Sequence, residues 1–185
     1  MTFPDQQFEV MLLDPAWWYF GCPNKMGAAG KHYPLMKTED IKALPVAQHL
    51  APRGVVFLWT TGPQLQIAMD CLAAWGLAYR GVGFVWVKTR LDGRPLGAMG
   101  VRPSIIKQNL TEFVLCGSRV PKGRPMPIAD ESIVQTVLAP RGAHSQKPEA
   151  VQERIELLYP QARRLEVFAR RQRPGWTCIG DQCPP

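Results

Sequence analysis

Asp14-Pro15-Ala16-Trp17 closes the apolar run Phe8–Leu13 and brings together groups able to handle a planar amine. A strand ending in Asp-Pro sets a carboxylate and a carbonyl at the carboxyl edge of a sheet, where open α/β folds bind their ligands. Pro15 has no N–H to compete for an acceptor, and its fixed φ aims its own carbonyl. Trp17 adds a flat aromatic wall. An amine nitrogen on an aromatic ring is a poor nucleophile because its lone pair is delocalised. Two acceptors on its two N–H groups favour a pyramidal nitrogen whose lone pair points outward. The same four residues also describe a strand followed by an ordinary Asp-Pro turn, so the surrounding elements have to decide.

Those elements form an alternating series. Phe8–Leu13, Gly54–Thr60, Val82–Lys88, Glu112–Gly117 and Arg164–Ala169 are short and rich in Val, Phe, Leu or Ile, with a weaker sixth stretch at Ile133–Leu138. They show little period-2 alternation, as expected for a sheet covered on both faces. Between them run helical patterns. Thr38 is a plausible N-cap with Glu39 and Asp40 in the first turn. Pro63 opens a helix with the stripe Leu65, Met69 and Leu72, stopped by Gly76. Pro148 opens another, with Val151, Ile155 and Leu158 on one face and Pro160 beyond its end. Strand–helix alternation predicts an α/β fold: one domain over residues 1–185, a doubly wound, mostly parallel sheet with helices on both faces.

Composition narrows the class. A chain of 185 residues that is 46% hydrophobic can bury a core and is not disordered. Its longest apolar run, Val55–Trp59, is far too short to span a bilayer. Met1–Glu9 has neither a basic nor an apolar leader region, so no secretory signal is expected. Five cysteines, odd in number and without a CxxC pair, argue against a disulfide framework or a zinc site and for a reducing cytoplasm. The net charge is +7. Between Lys88 and Arg124, eight basic residues stand against Asp92 and Glu112, and a second cluster is Arg170-Arg171-Gln172-Arg173. Such patches attract polyanions, which favours nucleic acid as a partner. Two segments, 21–33 and 90–108, are Gly/Pro-punctuated loops; long loops in compact domains are usually functional or disordered. Both are expected to face a substrate at the strand ends.

Read in order, the motifs resemble the MT-A70 family of adenine-N6 methyltransferases in its short phage and bacterial form. They are Asp14-Pro15-Ala16-Trp17; Tyr33-Pro34-Leu35-Met36; Phe57-Leu58-Trp59-Thr60-Thr61-Gly62; Trp86-Val87-Lys88-Thr89; Asn109 with Thr111-Glu112; His144-Ser145-Gln146-Lys147-Pro148; Leu165-Glu166-Val167-Phe168-Ala169-Arg170; and Gly180-Asp181-Gln182. The resemblance implies a Rossmann-like class I methyltransferase fold and S-adenosylmethionine as cofactor. It implies Asp14, Pro15 and Trp17 as the catalytic set acting on the adenine amine. Lys147, Arg170, Gly180, Asp181 and Gln182 would then bind the cofactor, with Lys147 on the methionine carboxylate. Trp18, Tyr19, Lys31, His32 and Tyr33 are candidates for holding the base, and Arg90, Arg94 and Arg102 for contacting phosphates. No metal is implied. Two departures stand out: Ala16 replaces a proline, and Asp181 stands where longer members carry asparagine.

The expected function is therefore methyl transfer to adenine in DNA, which the short chain favours over RNA. A homodimer is compatible with it. A catalytically silent, nucleic-acid-binding subunit is the alternative, disfavoured by retention of Asp14, Trp17, Lys147 and Gly180-Asp181-Gln182. Trp59, Trp75 and Trp86, with apolar neighbours, are expected in the core.

Overall fold

The computed structural model of the protein describes residues 2–17, 35–97, 109–142 and 146–184. Its strands are β1 (Phe8–Leu13), β2 (Leu50–Thr60), β3 (Ala78–Thr89), β4 (Thr111–Ser118), β5 (Thr136–Pro140), β6 (Arg164–Val167) and β7 (Trp176–Ile179). They form one sheet in the order β5-β3-β4-β2-β1-β6-β7. The helices are α1 (Thr38–Lys42), α2 (Val46–His49), α3 (Leu65–Ala74) and α4 (Glu149–Leu158).

Burial on both faces follows from the apolar character of the central strands. Along β1, Met11 and Leu13 join one buried cluster with Ile41 of α1 and Ala68 and Leu72 of α3. Val10 and Leu12 join the other, with Val151 and Ile155 of α4. Successive side chains point to opposite faces, so an uninterrupted apolar strand needs a helix layer on each. The doubly wound α/β arrangement is the outcome.

Direction matters more than order for the site. β1 runs parallel to β2 and β6, β6 to β7, and β3 to β5. β4 is antiparallel to both β2 and β3. Its first residues therefore lie at the edge where the other strands end: Glu112 pairs with Trp86, and Phe113 with Thr60. The chain leaves β1 towards β2 on one side and returns to β6 on the other. The carboxyl ends of β1 and β6 thus flank a topological switch point, the usual ligand crevice of such sheets.

Several local expectations shift. Thr38 is the first helical residue, not the cap; Lys37 occupies the cap position and no side chain caps the helix. In α3 the fully buried stripe is Ala68, Cys71 and Leu72, with Leu65 and Met69 packed at its margin. Gly76 does end that segment, at φ +70°. The weak sixth stretch forms a strand at Thr136–Pro140 instead of Ile133–Leu138. β7 has no counterpart among the expected stretches. β6 stops at Val167 because Phe168 turns to φ 69°, an unusual conformation for a bulky residue.

The first part of the expected 90–108 loop is ordered. The Leu96 N–H donates to the Lys88 carbonyl at 2.8 Å and the Arg90 N–H to the Arg94 carbonyl at 2.8 Å, extending the β3–β4 hairpin. Segment 21–33 and residues 98–108 lie outside the described residues. Among those described, no helix is long and apolar enough to cross a membrane.

Candidate active site

Asp14 follows β1 directly, and its N–H reaches the Val167 carbonyl at the end of β6 (3.4 Å). Its side chain is 28% exposed, recessed but reachable. One oxygen, Oδ1, accepts a bond from Lys147 Nζ at 2.8 Å. Lys147 also reaches Glu112 Oε2 at 3.3 Å, and Glu112 Oε1 accepts from Lys88 Nζ at 2.5 Å. Each ammonium lies over an indole: Lys147 is 5.4 Å from the Trp59 ring centre and Lys88 is 4.5 Å from that of Trp86. The two rings pack edge to face at 6.3 Å.

Burial pushes the Asp14 carboxyl above its ordinary value; Lys147 opposes this and the nearby Glu112 charge adds to it. For Lys147, burial alone would favour the neutral amine, but Asp14 and Glu112 outweigh it and keep the ammonium charged.

Beside Asp14 opens a cavity of about 260 Å³ between the ends of β1 and β6 and the start of α4. Its lining includes Trp59, Gln146, Lys147, Gln152, Glu166, Phe168 and Arg170. Glu166 is held up to about 7, first by burial and then by the charge of Asp14. Gln152 Nε2 on α4 donates to its Oε2 at 2.7 Å.

The expected catalytic residues separate in role. Pro15 is buried, and its carbonyl accepts the Trp17 N–H at 2.8 Å, keeping a second lone pair for an external donor. Trp17, expected as a wall for the base, is 6% exposed and packs with the core, its indole N–H donated to the Trp59 carbonyl at 3.0 Å. Trp59, Trp75 and Trp86 are core residues as expected.

Of the cofactor candidates, Lys147 and Arg170 line the crevice, and Gln182 is joined to it through Arg170. Lys147, expected on a cofactor carboxylate, bonds Asp14 and Glu112 here. Arg170 Nε donates to Gln182 Oε1 at 2.8 Å, joining the segments that follow β6 and β7. Asp181 and Gln182 are exposed. Gly180 has a backbone reason: a β-carbon there would stand 2.2 Å from the Ala169 carbonyl oxygen. The Ala169 N–H in turn donates to the Ile179 carbonyl at 2.9 Å.

The basic clusters are partly neutralised. Arg171 pairs with Glu149 (2.8 Å) and Arg173 with Glu156 (2.7 Å), so this cluster fastens the segment after β6 to α4. Arg94 pairs with Asp92 at 2.7 Å. Arg90 is exposed beside it. Trp18, Tyr19, Lys31, His32, Tyr33 and Arg102 lie outside the described residues.

Sequence reasoning missed Glu112, Lys88 and Glu166 as members of the site. All three sit in the family-like motifs, but nothing in their spacing places them near Asp14. Only a reversed β4 does so for Glu112.

Comparison with known proteins places the chain among methyltransferases. The sequence model of the MT-A70 family matches residues 8–182. The Type II methyltransferase M.MunI of Mycoplasma sp is 30% identical, with 98% of this chain and 80% of that protein covered. The human N(6)-adenine-specific methyltransferase METTL4 is 25% identical, over 95% of this chain and 37% of its own. The human N(6)-adenosine-methyltransferase catalytic subunit METTL3 is 27% identical, over 95% of this chain and 28% of its own.

Proposed function

The chain belongs to the MT-A70 family of N6-adenine methyltransferases, and from that premise we propose that it methylates the N6 amine of adenine in DNA, using S-adenosylmethionine. The observation that carries this reading is the Asp14 carboxylate, anchored through one oxygen by Lys147 at the mouth of a cavity on the switch-point edge of the sheet.

The residues around the cavity suit the cofactor. Glu166 and Asp14 offer negative charge to an ammonium and a sulfonium, and Arg170 offers a guanidinium to a carboxylate. Gly180, Asp181 and Gln182, the last bonded to Arg170, would border the adenosine portion. When bound, S-adenosylmethionine supplies an electrophilic methyl group, so the protein's task is mainly to position two reactants in line.

Asp14 and the Pro15 carbonyl would accept the two N–H groups of the adenine amine. Lys147 fixes Oδ1 and thereby orients the remaining oxygen towards the incoming base. As the nitrogen gains a methyl group it must lose one proton. Asp14, made more basic by burial, is the acceptor at hand. In a duplex the adenine must first leave the stack.

A DNA substrate is favoured over RNA by the likeness to the Type II methyltransferase M.MunI, 30% identical with 80% of that protein covered. The test is incubation with labelled S-adenosylmethionine and matched DNA and RNA oligonucleotides, followed by digestion to nucleosides. Labelled N6-methyl-2′-deoxyadenosine is the expected product. Label only in N6-methyladenosine would move the substrate to RNA, and label in neither would retire the enzymatic reading.

A further inference from the structure

We propose that Glu112 and Lys88 are positioning residues for Asp14: with Lys147 they form a chain of alternating charges that holds the carboxylate in its accepting orientation. The inference rests on the reading of Asp14 as the residue that receives the adenine amine.

The geometry is continuous from hairpin to site. Lys88 Nζ lies 2.5 Å from Glu112 Oε1, Glu112 Oε2 lies 3.3 Å from Lys147 Nζ, and Lys147 Nζ lies 2.8 Å from Asp14 Oδ1. Lys88 and Glu112 have side chains only 13% exposed, and Lys147 is 19% exposed. Trp86 and Trp59 form the floor under the two ammonium groups.

Stability does not account for such a chain. Desolvating charges offsets most of their attraction, and well-packed apolar residues often serve equally well or better. What the chain achieves is placement. Glu112 engages Lys147 with one oxygen and Lys88 with the other, so it is fixed at both ends. Lys147 is thereby shared between two carboxylates and does not collapse onto Asp14 alone, leaving Asp14 a stronger acceptor than a simple ion pair would.

The charged groups facing Asp14 come from three sides: Lys147 before α4, Glu112 on β4, and Glu166 and Arg170 on and after β6. Glu112 raises the proton affinity of Asp14. Removing that charge must lower it.

The test compares Glu112→Gln, Glu112→Asp and Lys88→Met with the parent protein. In Glu112→Gln, kcat should fall by up to about a hundredfold, the scale of a small misplacement near reacting atoms, while cofactor affinity stays close to parental. The acid limb of kcat should move to lower pH. Glu112→Asp, which keeps the charge, should return the limb towards its parental position. Lys88→Met should lower kcat too, and the loss in Glu112→Gln/Lys88→Met should be less than the product of the single losses, as for members of one network. Carboxyl NMR titration of Asp14 follows the same shift without needing turnover. A Glu112→Gln protein with parental kcat, or with an unmoved Asp14 titration, overturns the inference. A parent inactive on every nucleic acid, yet with an Asp14 titration that moves in Glu112→Gln, sinks the proposed function and leaves the chain intact.

Discussion

Lys147 Nζ donates to Asp14 Oδ1 at 2.8 Å, joining the foot of α4 to the tip of β1 across the crevice. The pair places a cation from late in the chain on a carboxylate from its start. It holds Lys147 on Asp14, while Arg170 and Arg171 are the other cations lining the crevice. Electrostatics in the crevice is set by this pairing together with Glu112 and Glu166.

Asp14→Asn should abolish methyl transfer with cofactor binding nearly unchanged. Asparagine keeps the shape but can present an amide N–H where an acceptor is required, and it cannot take up a proton. Isothermal calorimetry with S-adenosylmethionine and a nucleoside assay on the same preparation separate the two effects. Parental turnover would show that the amine is held elsewhere.

Lys147→Met leaves two recessed carboxylates, Asp14 and Glu112, without their shared ammonium. A destabilisation of up to about 3 kcal/mol is expected, chiefly from the Asp14 charge, since Glu112 keeps Lys88, read by urea unfolding. Lys147→Arg should recover much of it. If the methionine variant is as stable as the parent yet inactive, the lysine acts on the reaction alone.

Gly180→Ala tests why glycine follows β7. The added β-carbon meets backbone atoms of Ala169 at 2.2 and 2.8 Å, which cannot rotate away. Overpacking of this kind costs about 1–3 kcal/mol, and the displaced Asp181 and Gln182 should weaken cofactor binding. A variant that melts and binds like the parent would mean that the two strand ends separate freely.

Glu166 predicts a pH dependence of stability. Its carboxyl is raised from 4.5 to about 7, by burial first and then by Asp14. The folded state therefore holds this proton more tightly than the unfolded chain. The associated stability is complete below the unfolded value near 4.5 and is lost as pH rises through 7. Glu166→Gln should remove the dependence, making the variant more stable than the parent at pH 8, by about 3 kcal/mol at the upper limit, with a much smaller gain at pH 5. Urea unfolding at the two pH values decides it; an equal difference at both would rule out this titration.

Nucleic-acid binding should weaken with salt, and the triple replacement of Arg90, Arg94 and Arg102 by alanine should flatten that dependence, by about 0.9 in logarithmic slope for each phosphate no longer neutralised. Arg94 should contribute least, since Asp92 already neutralises it. An unchanged slope in filter-binding titrations would assign the hairpin to plain solvent-exposed surface.

The sequence alone determined a great deal where information is local. Apolar runs predicted five of the strands because a strand buried on both faces must be apolar throughout, and Pro148 with Val151 and Ile155 marked α4 by helical spacing. The position of Asp14 at the carboxyl edge of the sheet was legible because a strand's end fixes a residue's edge. The direction of β4 was not legible, since the residues of a buried strand look alike in either orientation. Read as parallel, Glu112 belongs at the far edge of the sheet; antiparallel pairing with β2 and β3 brings it next to Lys147. Trp17 and Lys147 followed the same logic. An aromatic ring and an ammonium near a motif can face a ligand or the protein, and local sequence does not say which; here the Trp59 carbonyl takes the indole N–H and Asp14 takes the ammonium. Residue types and order determined the chemistry available; strand direction and long-range pairing decided which groups meet.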